Sequence, residues 1–163
     1  MTQLVAMSIK GLMLDPVSNS PIVVLKDDAE KFFLPIWVGI FEANAIALQI
    51  ENVAPPRPMT HDLLKNVITD LKASVQKVVV CDLKDNTFYA LIYLDVNGAT
   101  VAVDARPSDA IALALRARCP IFVEDSVIES AENRDPTAEK PDTDRLQKWL
   151  EGLDPNELGK YKM

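Results

Sequence analysis

Residues 88–118 constrain the fold more than any other stretch. FYALIYLDV (88–96) alternates along its length, Asn97-Gly98 follows, and ATVAVDA (99–105) runs back. Asn-Gly between two such runs is the strongest short-range hairpin signal, because a type I′ turn needs positive φ at both central residues. RPSDAIALALRAR (106–118) then begins a helix without a spacer. Pro107 suits the first helical turn, where its missing N–H would have no partner anyway. Ser108 or Asp109 can cap the exposed amides. A hairpin that feeds straight into an apolar helix needs a sheet for its strands and a covered face for the helix.

The remaining segments supply that sheet. Residues 3–14 read as a strand, DPVSNSP (15–21) as a turn, PIVVLK (21–26) as a second strand and FFLPIWVG (32–39) as a third, together an antiparallel meander. IFEANAIALQIE (40–51) is a helix apolar on nearly every side, its polar exceptions Glu42 and Gln49 sharing one stripe. Such a helix is buried in the fold or against a partner. NVAPPRPM (52–59) carries three prolines and must be an extended loop. Thr60 reads as the N-cap of an amphipathic helix with Leu63, Leu64, Val67, Ile68 and Leu71 on one face. SVQKVVVCDL (74–83) is a strand, and PIFVED (120–125) a short strand or extended segment. The expected class is therefore α+β: a mixed, mostly antiparallel sheet packed by three helices, 40–51, 60–72 and 107–118. AIAL recurs at 45–48 and 110–113, each time in a helix that follows a strand through an acidic first turn. An internal β-β-α duplication explains the echo. So does a shared packing demand, since small Ala lets helices approach closely.

A single domain over residues 1–130 is expected, followed by a polar linker from 131, a short helix at 143–153 with Leu146, Trp149 and Leu150 on one side, and a tail to residue 163. The N-terminus lacks a basic stretch before a long apolar core, and no run approaches a membrane span. The expectation is a cytoplasmic protein without membrane contact. Cys81 and Cys119 each sit in an apolar run, as reduced, mostly buried thiols do. The net charge of -7 weighs against nucleic-acid binding by bulk electrostatics. An acidic chain has to concentrate its basic groups locally or recruit metal ions to hold phosphates. The apolar 40–51 segment asks for more burial than a small domain supplies, so a homo-oligomer is expected, most simply a two-fold dimer.

Chemistry concentrates in two blocks. In DARPSD, Asp104, Arg106, Ser108 and Asp109 gather where a strand feeds a helix N-terminus. Free amides with Arg106 there can hold a phosphate oxygen. Alternatively Asp104 and Asp109, with Glu42, can share Mg2+ or Mn2+, hard ions that take carboxylates and water. The bland explanation is that an acid at a helix start satisfies amides and the dipole. In RPMTHD, His61 is the one histidine of the chain and neighbours Asp62. It is a candidate general base, or an exposed incidental residue. Arg57 and Thr60 flank it as possible phosphate contacts. No nucleophile elbow, phosphate-binding glycine loop or zinc motif is present, and no organic cofactor is expected.

LPIWVGIFEANAIAL, RPMTHDLL, FYALIYL and DARPSDAIALALR, in this order and spacing, resemble the bifunctional nuclease domain family over about residues 4–128. That resemblance implies hydrolysis of phosphodiester bonds in DNA and RNA, with divalent-metal assistance as the expected mode. In that role His61, Asp62, Asp104 and Asp109 are the catalytic candidates, Arg57, Thr60, Arg106 and Ser108 bind substrate, and Asp104, Asp109 and Glu42 hold the metal. The competing reading is a non-catalytic regulatory module of the same fold that binds an anionic ligand or a protein.

Overall fold

The computed structural model describes residues 2–132. In chain order the elements are β1 (Leu4–Leu14), β2 (Pro21–Asp27), β3 (Phe33–Trp37), α1 (Ile40–Ile50), α2 (Thr60–Asp70), β4 (Ala73–Lys84), β5 (Thr87–Val96), β6 (Ala99–Ala105), α3 (Pro107–Ala117), β7 (Ile121–Glu124) and α4 (Asp125–Glu132). The expected linker and C-terminal helix lie outside the described residues, apart from residues 131 and 132, which end α4.

All seven strands join one sheet in the order β3-β2-β1-β7-β4-β5-β6. Only β4 and β7 run parallel; every other neighbouring pair is antiparallel. The fold is α+β and the sheet mixed and mostly antiparallel, as the sequence patterns indicate. Asn97 and Gly98 both take positive φ, 53° and 83°, as the β5–β6 hairpin requires.

Two meanders, β1-β2-β3 and β4-β5-β6, each run outward from the centre, and each outer strand feeds a helix, α1 or α3. The recurring unit is thus three strands and a helix, one strand longer than the β-β-α unit suggested by the AIAL echo. Matching the helix starts, Ile40 with Pro107, sets Glu42 opposite Asp109. The AIAL alignment is offset from this by two residues.

The core lies between the sheet and its helices, with Leu25, Leu34, Val78, Val80 and Val123 from the strands meeting Ile46, Ile111 and Leu113 from α1 and α3. Removing these side chains from water supplies most of the driving force for the fold. α3 is buried through Ala110–Ala114. α1 buries Ala43 to Ala47 but exposes Ile40, Phe41 and Ile50. Most of what its sequence demands is met inside the protomer. α2 has the expected amphipathic pattern, yet no residue of it is fully buried. Ile68 packs on the core, while Leu63, Leu64, Val67 and Leu71 remain exposed.

Two local readings change. The N-cap of α2 is Met59, and Thr60 is the first helical residue. The Asp62 carboxylate accepts a hydrogen bond from the Met59 N–H at 2.9 Å, so the helix end is satisfied from its third residue and Thr60 is not needed as the cap. α4 is a fourth helix beyond the three expected. Its apolar residues Val127, Ile128 and Ala131 are too few among acidic neighbours to show a helical period, but Val127 and Ile128 are buried. Among the described residues no helix is long and apolar enough to cross a membrane.

Candidate functional site

Three helix starts carry an acid at the third position: Glu42 on α1, Asp62 on α2 and Asp109 on α3. Each is favoured there by the exposed amides and the helix dipole. What the tertiary fold adds is the cross-linking between them. His61, the second residue of α2, puts Nε2 at 2.9 Å from Asp109 Oδ1, across 48 residues of sequence. The second oxygen of Asp109 accepts from Arg106 Nε at 3.1 Å. Arg106 Nη2 donates in turn to Glu42 Oε1 at 2.7 Å. A chain of contacts, His61–Asp109–Arg106–Glu42, therefore ties α2, the start of α3 and α1 together.

Burial along that chain is uneven. The side chains of His61 and Glu42 are 12% and 14% exposed, whereas Arg106 is 70% exposed. The cation is thus the member that faces solvent, while its carboxylate partners sit beneath it. Asp109 first, and Glu42 after it, push the Arg106 guanidinium above its already high pKa, so it stays charged.

These groups line a groove of about 870 Å³. Leu63, Leu64 and Val67 of α2 form one wall, Ile92, Leu94 and Val103 of β5 and β6 the other. Thr60 and Phe41 also line it. The combination of apolar walls with a few convergent polar groups is the usual make-up of a ligand site.

The other candidates lie elsewhere. Asp62 turns from the groove to Arg116, accepting from its Nε at 2.6 Å. Burial works to raise the Asp62 carboxyl, but the Met59 N–H and Arg116 outweigh it and hold it below its ordinary value. Asp104 pairs across the strands with Leu91, while its neighbour Val103 pairs with Ile92 on the groove side. Side chains alternate along a strand, so Asp104 touches the groove only at its rim and points to the opposite face. Ser108 is buried and lines a separate cavity of about 330 Å³ with Trp37 and Phe88. Arg57 is exposed on the loop before α2. Sequence reasoning missed Arg116. This side chain is 4% exposed and also donates to Ala112 O at 2.9 Å and Ala45 O at 3.0 Å. The available signal was an arginine seven residues after Asp109, on the apolar face of α3.

The three carboxylates expected to hold Mg2+ or Mn2+ do not converge. Glu42 and Asp109 share Arg106 as their cation, and Asp104 is on the other face. Among the described residues no three His, Cys, Asp or Glu side chains are grouped to hold a metal ion.

The model of the bifunctional nuclease domain matches residues 23–135. The chain belongs to the bifunctional nuclease domain family. A Mycobacterium tuberculosis protein, named only as uncharacterized, is 36% identical over 157 residues, covering 91% of this chain and 94% of the relative. Bifunctional nuclease 1 of rice (Oryza sativa subsp. japonica) is 28% identical over 112 residues, 67% of this chain and 34% of its own length. Bifunctional nuclease 2 of Arabidopsis thaliana is 31% identical over 108 residues, 64% of this chain and 33% of its own. The chain thus matches about a third of each plant protein. The family domain includes both blocks that meet at the groove, RPMTHD and DARPSD.

Proposed function

We propose that this chain is a nuclease that hydrolyses phosphodiester bonds of DNA or RNA at the mouth of the groove. The observation that carries the reading is the 2.9 Å contact of His61 with Asp109, which joins the two sequence blocks singled out for chemistry. Its support is membership of the bifunctional nuclease domain family and the names of the plant relatives.

In this reading Asp109 accepts the Nε2 proton of His61 and fixes the ring, leaving the Nδ1 lone pair free to act as base. Nδ1 takes a proton from water as the water oxygen bonds to phosphorus. The P–O bond to the leaving sugar oxygen breaks, that oxygen takes a proton from solvent, and His61 releases the proton it took from water, giving an alcohol and a phosphomonoester. Arg106 keeps Nη1 outside its contacts with Asp109 and Glu42 and offers it to a phosphate oxygen. Thr60 and Arg57 contribute to substrate binding along the approach. Asp62 positions His61 through the start of α2. No step is routed through a metal ion, because the carboxylates are not gathered for one. The compartment in this proposal is the cytoplasm, consistent with free, half-buried Cys81 and Cys119.

The second reading, a regulatory module that binds an anionic ligand or a protein, is favoured by the net charge of -7. One experiment separates the two. Single-stranded DNA and RNA are incubated with the protein and with a His61→Ala, Asp109→Ala double variant, with Mg2+, with Mn2+ and with chelator. Cleavage by the wild type and its loss in the folded variant is the expected result. Equal cleavage by both marks a contaminant and overturns the nuclease proposal. Absence of cleavage by either folded protein favours the binding module.

A further inference from the structure

The two edges of the sheet are built differently. β3 is five residues long and carries Pro35 at its centre. A short strand with a missing backbone donor is blunted against pairing with another strand. β6, ATVAVDA, is seven residues long, and all but its last residue is exposed. It has no proline, no bulge in its register with β5, and one charge, Asp104. A proline-free, unbulged edge with a single charge is a template for a further strand.

Next to that edge, α2 leaves its apolar side uncovered. Val101 and Val103, 42% and 41% exposed, pair with Leu94 and Ile92 and so lie on the helix face of the sheet. Leu63, Leu64 and Val67 of α2 are exposed above them across the groove. Strand edge and helix together present one apolar strip on one side of the protomer.

We propose that a second copy of this chain docks on that strip, β6 antiparallel to β6, continuing the sheet across a two-fold axis. An antiparallel pair of identical strands is self-complementary, as an isologous interface requires. A register centred on Ala102 pairs all seven residues: Ala99 with Ala105, Thr100 with Asp104, Val101 with Val103. Asp104 then faces a threonine hydroxyl and never its own copy, which matters in a chain of net charge -7. The same register keeps both helix layers on one side of the sheet, because a shift by one residue would reverse the faces. Both α2 helices then lie on the same side of the joined sheet. A seven-residue strand is about 24 Å long, and sheet plus helix layer stand about 20 Å high. The footprint is therefore at most about 500 Å² per copy and about 1,000 Å² in all, the lower bound for a specific interface. The interface is thus carried by β6 and α2, and not by α1, whose buried residues are already covered within the protomer.

Light scattering on a sizing column tests the assembly. Twice the 18.0 kDa chain mass is expected for the wild type. Val101→Lys sets a charge against Val103 of the other copy and weakens the dimer about 100-fold or more; circular dichroism checks that it stays folded. Ala102→Cys gives a second measurement. On the axis it meets its own copy, so mild oxidation links the two chains quickly, whereas Val17→Cys on the exposed β1–β2 turn does not. A wild type that is monomeric at high concentration overturns the proposal. So does an Ala102→Cys protein that links no faster than Val17→Cys.

Discussion

Replacing Arg116 by methionine isolates what one buried guanidinium does for three helices. Methionine keeps much of the apolar stem and removes the charge. Lost with it are the hydrogen bonds to Asp62 Oδ1 at 2.6 Å, Ala112 O at 2.9 Å and Ala45 O at 3.0 Å. Removing one partner of a buried ion pair costs about 3–5 kcal/mol, because the other charge is left uncompensated. Here Asp62 retains the Met59 N–H and is 23% exposed, so water and backbone share its charge. That points to the lower end, about 3 kcal/mol. For a domain of this size such a loss lowers the melting temperature by about 6–12 °C. Urea unfolding followed by circular dichroism at neutral pH reads the same change as a lower midpoint at unchanged slope. Arg116→Lys recovers little of it, since an ammonium on a flexible stem cannot replace a planar fork that serves three acceptors at once. A loss below about 1 kcal/mol in Arg116→Met would refute the claim that this residue clamps α1, α2 and α3. The clamp also sets the start of α2, and with it His61, so the proposed nuclease activity is expected to fall in Arg116→Met even where the protein remains folded.

The acid limb of stability carries the mark of Asp62. Its folded carboxyl lies below the ordinary value of 3.8, so its contribution is complete above that value and is lost as pH falls through the lower folded one. Asp62→Asn should flatten the fall in the urea midpoint as pH drops below the ordinary carboxylate value of 3.8, and an unchanged slope would count against the pairing. Arg106→Ala should leave stability within about 1 kcal/mol, given an exposed guanidinium, while cutting the proposed phosphodiester cleavage; a large drop in melting temperature would reassign Arg106 to a structural role. Burial holds the thiols of Cys119 and Cys81 above their ordinary value of 9.0. Both should react with iodoacetamide more slowly than free cysteine, and reaction at the free rate would contradict their placement.

The sequence made the strands and the three longer helices legible because each carries a strong local signal. Asn97-Gly98 fixes a turn whatever surrounds it, and the alternation on either side of it fixes two faces. α4 was hidden because eight residues hold too little periodicity. The site was half legible. His61, Asp109 and Arg106 stood out as residue types at helix starts, and the fold brings them together. Glu42 stood out too, but as a metal ligand, and nothing local reveals that Arg106 reaches it from 64 residues away. Asp104 and Asp109 look like a pair in sequence, yet strand alternation sends Asp104 to the other face. Asp62 next to His61 suggested joint chemistry, while helical geometry turns adjacent side chains about 100° apart, one to the groove and one to Arg116.

The position of β7 has a consequence for the order in which this chain can become a protein. β7 is the last strand to be synthesised among those described, and it fills the middle of the sheet between β1 and β4. It bonds β1 from Leu4↔Glu124 to Met7↔Ile121, joining opposite ends of the described chain. Until residues 121–124 leave the ribosome, each meander waits with a bare inner edge, and no strand joins the two halves of the sheet. Pairings this distant in sequence make closure slow. Exposed strand edges in the waiting chain invite association with other chains. The interval between the synthesis of β1 and the arrival of β7 is therefore the period of greatest vulnerability, and four residues end it.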